Sequence, residues 1–508
     1  MQFWERLGPV RRRVRARFEV DTRALAAVRI ALGTIILVDL LTRAGDIALY
    51  YTDDGVYPRA VYESASQYSG FSVHALSGEL WVQQLLFVVA GLFAVALILG
   101  YRTRLVGFVS LGLLLSLQAR NPAVLNAGDR LLRVVLFVAL LSPLGERWSV
   151  DALRRGSARP SVVGFTTAAL LAQPLAVFTS NAILKHGGDT WYAGKALEIA
   201  LADEVTRRFV GDIVVRSPLL LEALNWLWVA LLAGSVAFLL LTTGRLRAVF
   251  ALAYLGAFAG MVVSLSVGLF PLVLAASVLP YLTTPFWDRL ARLVPAGWRD
   301  RLPTAADLGP LGRPPFERRG LDWLCQHGHG TAASLIVQYG RSLLTVSGLI
   351  VFVWVVLFSA AHATALDLPD GIDSVPNEQR WGVYAPNPSQ GYSWYVVEAQ
   401  LADGSTVYTV GDADRALDRP PDGSEVYDTF RHRKYMSSVH SSALNTTPHL
   451  AERYLDWACE RVGSLQEYRV EQVGVVRFHY ADPVGSPDEG PERWLMLEQQ
   501  CEPAAEGR

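Results

Sequence analysis

The chain has almost no lysine. Of its 46 basic residues only Lys185, Lys195 and Lys434 are lysines, and the rest are arginines. Cysteine is as scarce: Cys325, Cys459 and Cys501 form no CxxC and no Cys/His pattern, so zinc and dithiol motifs are excluded and no metal is expected. Charge is short too, at 18% of residues with a net of −1, and it is segregated along the chain, which offers nothing to a nucleic acid.

What fills the space is apolar. Hydrophobic residues make up 51% and the mean hydropathy is +0.26, a balance that few soluble chains of this length show. Nine apolar runs read as membrane spans, near 24–42, 80–100, 105–119, 131–145, 162–184, 219–243, 246–267, 269–282 and 342–363. Arginines gather in the tail WERLGPVRRRVRARF and in GYRTR, GERWSVDALRRGSARP, TTGRLR and FWDRLARLVPAGWRDRLP. These are alternate connections, so the positive-inside rule puts the N-terminus in the cytoplasm and the C-terminus outside. The first run is long, follows a long basic tail and contains Arg29, so it reads as a retained span rather than a cleaved leader.

From about 366 the pattern changes. WYVVEAQLADGSTVYTV alternates around an ADG turn, VEQVGVVRFHYADP and ERWLMLEQQ read as further strands, and SALNTTPHLAERYLDWACERVG has helical spacing. The fold class expected is therefore a polytopic α-helical membrane protein of about nine spans with a C-terminal extracytoplasmic α+β domain. The divisions are a basic tail at 1–22, eight spans in 23–290, a cytoplasmic connection at 291–341, a ninth span at 342–365 and the outer domain at 366–508. Cys459 and Cys501 either pair there or stay as free thiols. Asn445 opens an Asn-Thr-Thr sequon. His432, His440 and His449 lack metal-ligand spacing and read as surface histidines.

Ionisable residues inside apolar runs need a reason. Arg29 is expected to snorkel toward the basic face, and Asp39, Arg43 and Asp46 to meet water or each other. QARNPAVLNAGDRLLR sets Arg120, Asn121, Asn126, Asp129, Arg130 and Arg133 around a short outer turn, which reads either as a solvated loop or as a polar cup. The fifth run ends in NAILKHGGDTWYAGKAL, where two of the three lysines fall. Lys185 is either an interfacial lysine whose amine reaches water or an amine held in an apolar pocket and able to act as a base. Arginine, which stays charged, would fail in the second role. His186 would assist or be solvated, Trp191 suits the interface, and Lys195 lies on an amphipathic segment.

The stretches RIALGTIILVDLLTRAGDIALYYTDDGVYPR, GYRTRL, QARNPAVLNAGDRLLRVVLFVALLSPLGERWSVDAL, LKHGGDTWYAGKAL and GLFPLV, in this order over roughly 20–290, resemble the HTTM domain. That is the prokaryotic branch of the vitamin K-dependent γ-glutamyl carboxylase superfamily. RWGVYAPNP followed by WYVVEAQLADG is similar to the start of its extracytoplasmic β-rich region. The resemblance implies a menaquinol or vitamin K-type hydroquinone with O₂ and CO₂ as cofactors and an extracytoplasmic protein as substrate. It implies a lysine that deprotonates the hydroquinone, at the position of Lys185; Asn126, Asp129 and Arg130 of the polar turn, with His186 and Trp191, are the candidate binding residues around it. Two departures stand beside it: Gly128 and Phe258 occupy positions where the family carries histidine.

Two functions follow. One is a quinol-dependent epoxidase or glutamyl carboxylase with Lys185 as base. The other is a non-catalytic membrane protein that binds a lipid, quinone or protein through its outer domain. A transporter is disfavoured, because no inverted repeat is evident.

Overall fold

The computed structural model describes residues 8–65, 70–293, 295, 330–364, 381–410, 415–444, 449–466 and 469–501. The Asn445 sequon and most of the 291–341 connection lie outside them.

Each of the nine apolar runs is helical where described. The helices are α1 (Thr22–Ala44), α2 (Leu80–Leu99), α3 (Thr103–Arg120), α4 (Ala127–Leu141) and α5 (Phe165–His186), then α6 (Pro218–Ala233), α7 (Gly244–Ser264), α8 (Phe270–Val278) and α9 (Gly330–Thr364). Four of them, α1, α2, α5 and α7, are long and apolar enough to cross a bilayer. A fifth candidate is the pair Phe270–Tyr281 and Thr284–Leu293, bent by 104°. Of the remaining apolar helices, α3, α4, α6 and α8 are shorter than the ~20 residues that a straight span needs, while α9 is 35 residues long. α1 and α5 bury most of their surface inside the bundle, while α2 and α7 leave most of theirs outward. Apolar outward faces such as Leu85, Val88, Leu92 and Val249, Leu252 fit lipid rather than water.

Local signals set the helix ends. Asp21 accepts the Arg23 amide at 2.9 Å to start α1, and Gly100, with φ of 67°, ends α2. At α4 a capping box closes: Asn126 Oδ1 accepts the Asp129 amide at 3.2 Å, and Asp129 Oδ2 accepts the Asn126 amide at 2.8 Å.

Arg29 does not snorkel. It is fully buried, and its guanidinium donates to the carbonyls of Leu144 (3.1 Å), Arg147 (3.2 Å), Ile98 (3.2 Å) and Trp148. Those carbonyls end α2 and follow α4, where chain turns leave acceptors unpaired, so burial satisfies both sides at once.

The C-terminal part is a five-stranded antiparallel sheet, β1 (Tyr392–Leu401), β2 (Thr406–Thr409), β3 (Ala416–Leu417), β4 (Val470–Tyr480) and β5 (Glu492–Gln500), in the order β3-β2-β1-β4-β5. β1 and β4 pair from Tyr392↔Tyr480 to Leu401↔Val470. Period-two alternation puts Trp394, Val396 and Phe478 in one buried cluster, with Trp394 and Phe478 stacked at 5.5 Å. The opposite face carries Tyr395, Val397 and Val475 under α10 (Phe430–Ala443) and α11 (His449–Leu465). Cys459 of α11 and Cys501 after β5 form a disulfide, which the sequence left open. His432 is not a surface histidine. It is buried against Tyr427, and burial pushes its pKa down to about 4.

α10 seats this unit on the helical bundle. Tyr435 donates to the Val56 carbonyl at 3.1 Å and Ser438 to that of Ala123 at 2.9 Å. At its first turn Arg431 enters a ring of buried charge. Its guanidinium meets Asp129 Oδ1 at 2.8 Å and Oδ2 at 3.2 Å and also pairs with Asp39, while Arg43 meets Asp39 at 3.0 Å and Asp129 at 2.8 Å. All four side chains are at most 1% exposed. Two cations and two anions cancel, which is the condition under which buried charge is tolerated.

Candidate functional site

α5 carries Asn181 and Lys185 on one face, one turn apart, at the end where the sheet unit docks. The turn His186–Thr190 then brings Trp191 back beneath the lysine. Gly188 is required there. A Cβ on it would lie 2.3 Å from Asn387 Oδ1 and 2.5 Å from the Pro386 carbonyl, so only glycine admits the 381–387 segment. Asn387 fastens that segment by accepting from Thr190 Oγ1 at 2.7 Å and donating to Asp189 at 3.0 Å.

The segment supplies acceptors to the lysine. Lys185 Nζ donates to the carbonyls of Val383 and Tyr384, each at 2.8 Å, and lies 3.7 Å from the centre of the Trp191 ring. Trp191 Nε1 donates to the same Tyr384 carbonyl at 2.9 Å, and Asn181 Nδ2 to that of Trp381 at 2.6 Å. Lys185 is 3% exposed. Tyr384 holds its backbone at φ 54°, a strained value for a residue with a side chain. Its phenol pKa is pushed up by burial and by nearby Asp203, whose own pKa burial raises.

These groups face a cavity of about 510 Å³ between α5, α6, α7 and α8. Among the described residues that line it, Lys185 has the only cationic side chain and no carboxylate is present; the rest is largely Phe178, Leu224, Trp228, Leu231, Met261 and similar apolar residues. Ala253, Gly256 and Gly260 line the outer side along α7, and a Cβ on either glycine would meet nothing within 4 Å. The volume and apolar lining suit a small hydrophobic molecule with one polar end.

The amine's surroundings accommodate both protonation states. A neutral amine donates two hydrogens, which the two carbonyls take, and keeps one lone pair. An ammonium has a third N–H, for which the Trp191 ring face is a partner.

The expected site residues do not all converge. Lys185 and Trp191 line this cavity. His186 is exposed and sits edge-on to Tyr192 at 5.3 Å. Asp129 is held in the ionic ring and lines neither this cavity nor the cleft beside it. Asn126 and Arg130 line that cleft, on the other side of the 381–386 segment. Lys195 is exposed and pairs with Glu198 at 3.1 Å. The turn around 118–133 is not a solvated loop, because Arg120, Asn121 and Asp129 are buried, while Gln118, Asn126, Arg130 and Arg133 line the cleft. Arg120 donates to the Tyr57 carbonyl at 2.8 Å and Asn121 to that of Tyr50 at 3.0 Å.

Sequence reasoning missed Asn181, Asn225 and the 381–386 carbonyls. Asn225 donates to the Trp191 carbonyl at 2.8 Å and holds that turn. Asparagines within apolar runs were the available signal. The carbonyls carried none, because any residue supplies one.

Of the two positions where the family carries histidine, Gly128 has no room for an imidazole, and position 258 is filled by a phenyl ring. A Cβ on Gly128 already lies 2.6 Å from the Phe270 amide nitrogen. Phe258 is fully buried, 6.0 Å from Phe178 and 6.1 Å from Trp228 between ring centres. Among the described residues there is no metal-ligating group of three His, Cys, Asp or Glu.

The family model of the HTTM domain matches residues 18–287, more than half of the chain. Comparison with curated proteins and with solved structures gives no match.

Proposed function

The chain belongs to the HTTM-domain family and is a membrane protein, and from that premise we propose that it binds a reduced naphthoquinone in the Lys185 cavity and takes a proton from it. The observation that carries this is the lone amine in an otherwise apolar cavity, paired with two carbonyls and no carboxylate. Lys185 Nζ accepts the hydroxyl proton on its lone pair, and Trp191 then faces the third N–H of the resulting ammonium. Asn181 and Asn225 hold the 381–384 segment and the Trp191 turn, so the amine is positioned before anything binds. Arginine at 185 would keep the charge and offer no lone pair to take the proton. A hydroquinone of this type supplies, with O₂ and CO₂, the chemistry by which the carboxylases that the family resembles modify glutamyl side chains.

The nine helices are read as nine spans, with the basic N-terminal tail cytoplasmic and the sheet unit extracytoplasmic in a cell membrane. The grouping of Arg102, Arg104, Arg154, Arg155 and Arg159 around one cleft at the end opposite Lys185 supports this. The oxidised disulfide supports an outside location for the sheet unit. An extracytoplasmic protein is then the accessible substrate or partner.

A second reading has its own observation. With Gly128 closed to an imidazole and a buried phenyl ring in place of one at Phe258, the chain would bind quinol without carboxylating anything. Menaquinone binding in nanodiscs tests the shared part. Wild type binds, and Gly256→Phe, which plugs the α7 side without touching the lysine, weakens binding at least tenfold. Equal binding by both proteins would remove the cavity from the account.

A further inference from the structure

Across the 381–386 segment from Lys185 lies a cleft of about 900 Å³. Its lining includes Arg130, Arg133 and Lys434, with Gln118, Asn126 and Ser438, and no carboxylate among the described residues. Lys434 is partly buried, and its side-chain amine has no hydrogen-bond or ion-pair partner among the described residues. Burial, then the like charges of Arg433 and Arg130, push its pKa down. An anion in the cleft would offset those like charges.

The cleft does not end at the polar groups. Leu115, Arg133 and Trp381 also line a second hollow of about 370 Å³, a groove between α3, α4, α5 and α9. Apart from Arg133 and Gln173, that groove is apolar. Leu115, Phe137 and Trp354 line it and are 42%, 40% and 41% exposed. Arg133 thus stands at the junction of a basic chamber and an apolar channel that runs along the bundle.

We propose that cleft and groove form one site for an anionic phospholipid of the surrounding bilayer, its phosphate held by Arg130, Arg133 and Lys434 and an acyl chain lying in the α3–α4–α5–α9 groove. Two features single out this occupant. The charge calls for an anionic head, and continuity into an apolar groove calls for a tail. A free phosphate would satisfy only the first. The site is separate from the Lys185 cavity, and the proposal stands whether or not Lys185 takes part in chemistry.

The test uses the full chain in neutral detergent, titrated with phosphatidylglycerol or with phosphatidylcholine of the same acyl chains, bound lipid being read by native mass spectrometry. Phosphatidylglycerol is expected to bind at least tenfold more tightly, and inorganic phosphate at millimolar concentration not to displace it. Arg133→Gln and Lys434→Gln should each weaken phosphatidylglycerol about fivefold or more and leave phosphatidylcholine unchanged. Leu115→Trp, which fills the groove and spares every cation, should weaken both lipids. Unchanged menaquinone binding by these variants shows that they are folded; where one fails that control, Lys434→Arg serves instead and should retain the lipid preference. Equal binding of the two lipids, displacement by phosphate alone, or a preference indifferent to Arg133 and Lys434 would overturn the proposal.

Discussion

Replacing Arg431 by methionine removes one member of the buried ring and keeps most of its volume. In the wild type two guanidiniums face two carboxylates, all at most 1% exposed, and the charge sums to zero. Without Arg431, Asp39 and Asp129 share Arg43 alone, and one negative charge is left buried and uncompensated. Breaking such a pair from one side costs about 3–5 kcal/mol. Because Arg431 lies on α10 and both aspartates lie in the bundle, the cost falls on docking. The assay is hydrogen exchange across residues 430–443 in the full chain, with thermal unfolding in detergent alongside. Exchange should rise by a factor on the order of 100 to 5,000, which is the same free energy expressed as an opening equilibrium. Adding Asp129→Asn restores neutrality, since Arg43 and Asp39 then balance, and the double variant should recover most of the loss. If Arg431→Met changes exchange less than fivefold, or if the double variant is worse than the single, the ring does not hold the two parts together.

Other perturbations reach other parts of the account. Gly188→Val drives a side chain into Asn387 and Pro386 and should cost about 1–3 kcal/mol as overpacking, seen as a lower unfolding temperature and weaker quinone binding. His432 is buried with its pKa lowered to about 4 by burial, Asp428 raising it and Arg415 lowering it. Its contribution is therefore whole above the unfolded value of about 6.5 and is lost as pH falls from there to 4. The loss reaches about 3 kcal/mol, and His432→Gln should flatten that part of the stability–pH curve. Opening the Cys459–Cys501 bond frees a loop with a sequence separation of 42, worth about 4 kcal/mol by chain entropy; Cys459→Ser with Cys501→Ser should lower the unfolding temperature of the sheet unit.

The helices were legible because apolar runs and arginine clusters are local patterns, and so were the strands Tyr392–Leu401, Val470–Tyr480 and Glu492–Gln500, whose alternation is local too. Lys185 was legible for another reason: a chain that otherwise uses arginine placed a lysine at the end of an apolar helix. Contacts between distant segments were not legible. Arg431 and Asp129 lie 302 residues apart, and nothing in RHRKYM or LNAGDR marks them as partners. The same holds for the carbonyls of Val383 and Tyr384 over Lys185, where position and not side chain supplies the chemistry. Asp129, read as a binding residue, sits in the ionic ring, and its ion partners are not visible in its own stretch of sequence. Arg29 was read as snorkelling and is buried instead, because carbonyl acceptors at helix ends do not show in sequence.

The most direct measurement is the turnover of menaquinol with O₂ by the purified chain in nanodiscs, comparing wild type with Lys185→Ala and Lys185→Arg at equal menaquinone occupancy. The account predicts quinone epoxide from the wild type and a loss of at least 100-fold in both variants. Arginine fails although it keeps the charge, because it cannot take the proton. Turnover that survives in Lys185→Arg, or a wild type that binds menaquinol and leaves it unchanged, would contradict the base assignment and leave Lys185 as a structural anchor for the 381–387 segment.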